Sequence, residues 1–195
     1  MPFNDRQLEQ LFREINPSRV AERKGMAYLE TWDVLAHLNR IFGFGGWDKW
    51  VNTCELIYED YVTWKPQNGP EKSGWDVAYR ATVRLIVKDP DGRAVKISED
   101  VATGQAQHQP SRGDAHDLAI KSAVSDALKR CAKDLGNQFG LSLYDSGSMK
   151  SVVGKSLAYP EADTLPPKAD PDEVGKQVAA VRDRMIGEAV RADQA

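Results

Sequence analysis

Residues 115–136 are the most strongly patterned segment of the chain. Their apolar members recur at steps of three and four residues, which places them on one side of an α-helix: Ile120, Val124, Ala127, Cys131 and Leu135. Lys121, Ser125, Lys129 and Lys133 recur at four-residue steps on roughly the opposite side, and Arg130 lies between the two faces. The pattern predicts a core-packed helix with an outward row of cations, which suits a polyanion. An ordinary amphipathic helix with a solvated basic face is the alternative.

Length and charge limit how such a helix can be used. A chain of 195 residues with 41% hydrophobic residues and five tryptophans is long enough for one folded domain and an appendage. The formal net charge is −3, whereas nucleic-acid-binding domains usually carry a basic balance. The whole chain therefore creates no cationic field, and any basic surface must be a local groove.

Several classes of protein are disfavoured by composition. Two cysteines are too few for a disulfide framework or a four-cysteine zinc site. His37, His108 and His116 lack metal-ligand spacing, so no metal is expected. No apolar run approaches the roughly 18 residues of a membrane span, and the start of the chain lacks the organisation of a signal peptide. We expect a soluble intracellular protein.

The rest of the chain predicts an α+β fold. Periodicity favours amphipathic helices ending near residue 16 and over 31–42, with a short strand at 26–29. Three strands of period two follow, over 50–58, 75–88 and 94–103. A polar loop at 105–113 then leads into the long helix. The expected core is an antiparallel β-β-β sheet covered by that helix.

A change of composition near residue 145 predicts a boundary. Residues 145–170 are rich in Gly, Ser and Pro with little apolar periodicity, which is typical of a linker. A late short helix is expected over about 174–185. We therefore predict a domain at 1–144 and a flexible tail at 145–195.

The strand at 75–88 carries cations on one face, Arg80 and Arg84. Together with Arg23 and the helix cations they would build a groove that follows phosphates, with Tyr28, Phe42 and Phe44 to stack bases or hold them apart. In the alternative, the two arginines are a solvated sheet face and Phe42 belongs to the core. Pattern alone leaves both interpretations open.

Two other motifs invite a functional interpretation. Residues 43–47 (GFGGW) follow a helix and precede a strand, the reverse of a phosphate-binding loop, so they predict a tight corner. Glu99, Asp100, Asp114 and His116 are the best candidates for a metal-dependent nuclease cluster. However, Glu99 and Asp100 alternate across a strand, and Asp114 equally suits a helix cap.

Three stretches, in this order, resemble the Rad52 family of single-strand annealing proteins. They are the segment 28–47 ending in RIFGFGGW, the segment EDVATG at 99–104, and the segment 119–137 containing DALKRCAKDLGN. The resemblance covers about residues 17–144. Three motifs in the same order are far more specific than any one of them.

The resemblance implies a function as well as a fold. Members of the family assemble into rings, hold single-stranded DNA in a cationic groove with its bases presented for pairing, and hydrolyse no nucleotide. It therefore implies a protein that is not an enzyme, needs no cofactor and acts as a homo-oligomer. The family's groove residues correspond to Arg23, Tyr28, Phe42, Lys121, Lys129, Arg130 and Lys133.

The resemblance carries further expectations. The family's outer DNA site uses lysines near which only Lys72 and Arg112 lie in this chain. A short chain of this kind resembles a phage or bacterial version, which would be cytoplasmic and associated with DNA. Its C-terminal tail is a candidate contact for a single-strand-binding protein.

Overall fold

The computed structural model describes residues 3–67 and 69–156. Within these residues, three α-helices and five strands follow one another in this order: α1 (Asp5–Phe12), β1 (Val20–Arg23), β2 (Met26–Leu29), α2 (Thr31–Phe42), β3 (Trp47–Trp64), β4 (Lys72–Lys88), β5 (Ala94–Gln109) and α3 (Arg112–Lys133). Strands β3, β4 and β5 form one antiparallel sheet in sequential order, and β1 and β2 form a separate hairpin. The predicted α+β class and its β-β-β-α core are confirmed. The helix predicted over 174–185 lies outside the described residues.

Helix α3 packs on the sheet through small side chains. Ala115, Ala119, Ala123 and Ala127 recur at four-residue steps and are fully buried. Ile120 and Val124, which the periodicity placed on the core face, are only half-buried. The prediction was wrong at these two positions, where alanines take the buried face instead, but Ala127, Cys131 and Leu135 are buried as predicted.

Gly104 of β5 explains the preference for small side chains. A Cβ atom at this position would overlap the backbone of Ala119 and Ala123. The absence of a side chain therefore lets helix and strand approach closely. The apolar face of β4 completes the layer, as predicted, with Val77, Ala81, Val83, Leu85 and Val87 all buried.

The strands are longer than the composition predicted. β5 runs to Gln109, so the first part of the predicted loop at 105–113 is strand. Ala106 is buried and pairs with Val77, which continues the sheet. The glutamines that suggested a loop alternate with it on the exposed side of the strand. Helix α3 then starts at Arg112, capped by the Ser111 hydroxyl rather than by Asp114.

The β1–β2 hairpin was predicted only in its second half. Lys24 and Gly25 form its two-residue loop, both with positive φ, of 53° and 76°. Two positive φ angles are typical of the tight turn whose twist matches paired strands. Lys-Gly is not the usual Asn-Gly signature of such a turn, so β1 was not predicted.

A buried ion pair fixes the segment before the hairpin. Arg19 donates from Nε and Nη2 to the Asp33 carboxylate of α2, at 2.9 and 2.8 Å. Its Nη1 donates to the side-chain oxygen of Gln138 at 2.7 Å, beyond the end of α3. Arg19 therefore joins three parts of the chain, and burying one partner without the other would be costly.

The compact unit extends to Gly154, past the predicted boundary at 144. Asn137 is fully buried and its amide nitrogen lies 3.0 Å from the Phe12 carbonyl and 2.8 Å from the Val153 carbonyl. These contacts hold residues 151–153 against the end of α1. Residues 157–195, most of the predicted tail, lie outside the described part of the chain.

Among the described residues, no helix is both long enough and apolar enough to cross a membrane.

Candidate nucleic-acid interface

The C-terminal half of α3 lies beside the β1–β2 hairpin. The Lys129 ammonium group is 5.7 Å from the ring centroid of Tyr28 in β2. Arg23 pairs with Met26, which is two residues from Tyr28, so Arg23 and Tyr28 share one face of the hairpin. Three residues that the sequence proposed for DNA binding are therefore brought together here.

A second cation–aromatic pair lies one helical turn further on. The Lys133 ammonium group is 4.4 Å from the ring centroid of Tyr144, a distance typical of a cation–π contact. Lys129 and Lys133 are about 6 Å apart along the helix axis. We call the set Arg23, Tyr28, Lys129, Lys133 and Tyr144 the tyrosine–lysine surface.

Carboxylates accompany several of the predicted cations. Lys129 lies 2.8 Å from Asp126, and Lys121 lies 2.5 Å from Asp117. The Lys121 pair is exposed and the Lys129 pair is partly exposed, so water and salt screen both and a phosphate can replace the carboxylate. Within residues 3–67 and 69–156, Arg23 and Lys133 form no ion pair.

Arg130 faces a different neighbour from Lys129. Its Nη1 donates to the Val101 carbonyl of β5 at 3.2 Å and lies 3.8 Å from Asp100. Consecutive residues of a helix point about 100° apart. Lys129 therefore lies toward the hairpin and Arg130 toward β5.

Most of the chain matches a protein-family model. Residues 5–162, well over half of the chain, match the model described as Rad52/22 family double-strand break repair protein. The chain belongs to the Rad52/22 family.

Relatives of known name agree with this assignment. The chain is 29% identical over 159 residues to DNA repair and recombination protein RAD52 of Eremothecium gossypii, a match covering 78% of this chain and 33% of that protein. It is 28% identical to RAD52 of Saccharomyces cerevisiae over 159 residues, which are 78% of this chain and 31% of that protein. DNA repair and recombination protein rad22 of Schizosaccharomyces pombe is 28% identical over 147 residues, 73% of this chain and 29% of that protein.

The chain thus spans about a third of the length of the curated relatives it matches. These relatives come from eukaryotes, so the expected phage or bacterial origin stays a prediction.

Phe42, one of the residues carried over from the Rad52 resemblance, is held by other aromatic rings. Its centroid lies 5.7 Å from that of Phe3 and 6.4 Å from that of Phe139, which is nearly parallel to it. These contacts favour the alternative in which Phe42 belongs to the core. Phe44, at the predicted tight corner, is 90% exposed.

Arg80 and Arg84 do not join the tyrosine–lysine surface. They lie on the sheet face that points away from α3, where Arg80 pairs with Glu55 at 2.6 Å and Arg84 with Glu99 at 2.7 Å. Within one chain of this Rad52/22 protein the sheet separates them from the helix cations. The single groove predicted from both sets is therefore not formed by one copy.

Lys72 and Arg112 lie near one end of the sheet. Lys72 is the first residue of β4 and lies opposite Trp64 of β3 in the sheet. The Arg112 guanidinium group lies 5.4 Å from the ring centroid of Trp75, which follows Lys72 by three residues in β4. Arg112 donates to Glu59, and this hydrogen bond holds the pKa of Glu59 below its ordinary value and raises that of Arg112. The charge of Arg112 is thus matched internally, whereas Lys72 forms no ion pair among the described residues.

The carboxylates of the nuclease alternative point apart. Glu99 accepts from Asn52 and Arg84 on the outer face of the sheet, while Asp100 faces α3 and Arg130. No cluster of three or more potential metal ligands occurs within residues 3–67 and 69–156. Glu99 and Asp100 therefore do not converge on one site.

The cysteine of α3 offers no nucleophile. The Cys131 thiol is buried and donates to the Val83 carbonyl at 3.1 Å. Burial raises its pKa to about 11, so it stays protonated near neutral pH.

Sequence reasoning missed Tyr144. It lies on a short 3-10 helix (Ser142–Tyr144) after α3, outside every periodic segment. Its position beside Lys133 depends on the turn through Gly136 and Gly140, both with positive φ. The glycines were visible in the sequence, but the direction in which they return the chain was not.

Proposed function

We propose that the chain binds single-stranded DNA and anneals complementary strands in homologous recombination and double-strand break repair, without nucleotide hydrolysis. The observation that carries the proposal is the tyrosine–lysine surface, where neighbouring lysines of α3 each lie over a tyrosine ring. Family membership supports the same function.

The chemistry of this surface suits an extended polynucleotide. Lysine and arginine attract phosphates without distinguishing bases, so affinity comes without sequence preference. Exposed aromatic rings accept the flat faces of bases, which leaves the pairing edges free. A strand held in this way is ready to meet its complement.

The proposal includes assembly of several copies. One copy presents only a small cationic surface, but copies arranged head to tail would align many along one strand and add their weak contacts. β3 is an edge strand with large exposed apolar side chains, including Trp50, Val51, Leu56 and Ile57. Such an edge is usually covered by a partner, and we propose that other copies cover it in a ring.

The remaining expectations belong to the same proposal. The protein acts without a cofactor and is not an enzyme, since strand annealing breaks no covalent bond. It works on DNA in the cytoplasm of a bacterial or phage-infected cell, and its C-terminal tail contacts a single-strand-binding protein.

The test is an annealing reaction with two complementary labelled oligonucleotides and no nucleotide. We expect duplex formation well above the spontaneous rate, with both strands intact in the presence of Mg²⁺. An unchanged annealing rate would contradict the proposal. Strands shortened in Mg²⁺ or Mn²⁺ by the wild type, but not by Asp100→Asn, would establish the nuclease alternative.

A further inference from the structure

Tyr144 is the most exposed ring of the tyrosine–lysine surface. The residue is 70% exposed, whereas Tyr28 is half-buried and donates its hydroxyl to Glu30 at 3.1 Å. Within the described residues the Tyr144 hydroxyl forms no hydrogen bond. The ring is therefore available to a further group, and its hydroxyl serves no visible structural purpose.

The backbone beneath this exposed ring is well anchored. Ser142 and Leu143, the two residues before it, are buried, and the Tyr144 amide donates to the Leu141 carbonyl at 3.4 Å. The Leu143 amide donates to the Gly140 carbonyl at 3.2 Å. Because the backbone that carries the ring is already fixed, little backbone conformational entropy is lost when the ring binds a partner, which favours a binding role.

Lys133 places a cation directly beside the Tyr144 ring. Its ammonium group lies over the ring at 4.4 Å from the centroid, and the high exposure leaves the remaining ring surface open to a planar partner. Lys133 forms no ion pair among the described residues, so its charge is available to a phosphate. A nucleotide offers both groups, a phosphate and a flat base, at adjacent positions.

We propose that Tyr144 is a stacking platform for a base of the bound strand, next to the phosphate contact of Lys133. The inference rests on the proposed function and adds a residue that no motif assigned. Tyr144 contributes through its aromatic face, so a ring without the hydroxyl serves equally well.

The test compares a strand of thymidines with an abasic strand of the same length and charge. Binding of each is measured by fluorescence anisotropy at one salt concentration. We expect Tyr144→Ala to weaken binding of the thymidine strand about tenfold and to leave the abasic strand unchanged, because only a base can stack. Tyr144→Phe keeps the aromatic face and should recover the binding of the thymidine strand that Tyr144→Ala loses.

Two controls separate stacking from other effects. Arg23→Ala removes a cation of the same surface, so it should weaken both strands by the same factor. Tyr144→Leu keeps an apolar side chain without a π-face and should behave like Tyr144→Ala, which keeps the test valid if the alanine variant unfolds.

Equal losses on the two strands for Tyr144→Ala, or no loss on either, would overturn the stacking role alone. Wild-type protein that binds neither strand would overturn the proposed function and this inference with it.

Discussion

The cations of α3 differ in their surroundings, and this difference decides how each should act. Lys129 lies beside a tyrosine and a carboxylate, Lys133 beside a tyrosine alone, and Arg130 against the carbonyl of Val101. A phosphate at Lys129 or Arg130 must replace Asp126 or Asp100. At Lys133 it meets no competitor among the described residues.

At the scale of single residues we predict that Lys129→Ala and Arg130→Ala each weaken single-strand binding. The loss should be at least about tenfold, because one contact is removed from every copy along the strand and these losses add, and it should be similar for all base sequences. Filter binding with oligonucleotides of several sequences measures it.

Arg93→Ala is the matched control. Arg93 lies on the turn between β4 and β5 with its side chain 80% exposed. Its replacement removes one positive charge, as the Lys129 and Arg130 variants do, but at a different part of the surface. Binding by this variant should stay close to that of the wild type. If all three variants bound alike, the assignment of the surface to α3 would be wrong.

Motifs and spacing predicted which cations lie on the proposed DNA-binding surface, but not which aromatic rings remain exposed there. Tyr28 and Lys129 were proposed together and do lie together. The surroundings of Phe42 depend on Phe3 and Phe139, which lie far apart in the chain and meet only through tertiary packing. No local pattern carries that information.

At the scale of elements, the closest approach in the fold is between α3 and β5 at Gly104. We predict that Gly104→Ala lowers the free energy of unfolding by at least about 1 kcal/mol, because the added methyl group overlaps helix backbone that cannot move aside. Urea unfolding followed by circular dichroism gives this value.

Gly45→Ala is the control for this substitution. A Cβ at Gly45 would meet nothing within 4 Å, and its φ lies outside the left-handed region. Its free energy of unfolding should stay within about 0.5 kcal/mol of the wild type. A Gly104→Ala protein as stable as Gly45→Ala would show that the helix and strand are not packed so closely.

Most elements could be predicted from the sequence because their periodicity is local. The order of helices and strands and the apolar face of β4 followed from steps of two and four residues. The buried face of α3 followed only in its C-terminal part, since near Gly104 the choice between alanine and larger residues depends on that opposing glycine of β5. The β1–β2 hairpin escaped because its turn lacks the usual residues.

At the scale of the whole molecule, the net charge of −3 and a DNA-binding function are compatible. Arg80 and Arg84 are paired with glutamates on the face away from α3, while Arg23 and Lys133 have no carboxylate partner within residues 3–67 and 69–156. Positive potential is thus local rather than general. The affinity for DNA must then come from this local surface, repeated by assembly.

The salt dependence of single-strand binding tests this claim most directly. Affinity is measured for one oligonucleotide length from about 50 to 200 mM salt, with a thymidine strand and a strand of mixed sequence. We predict a steep linear fall of log affinity with log salt, by about 0.7 per phosphate contacted, and the same slope for both strands. A flat response, or binding confined to one sequence, would contradict the account.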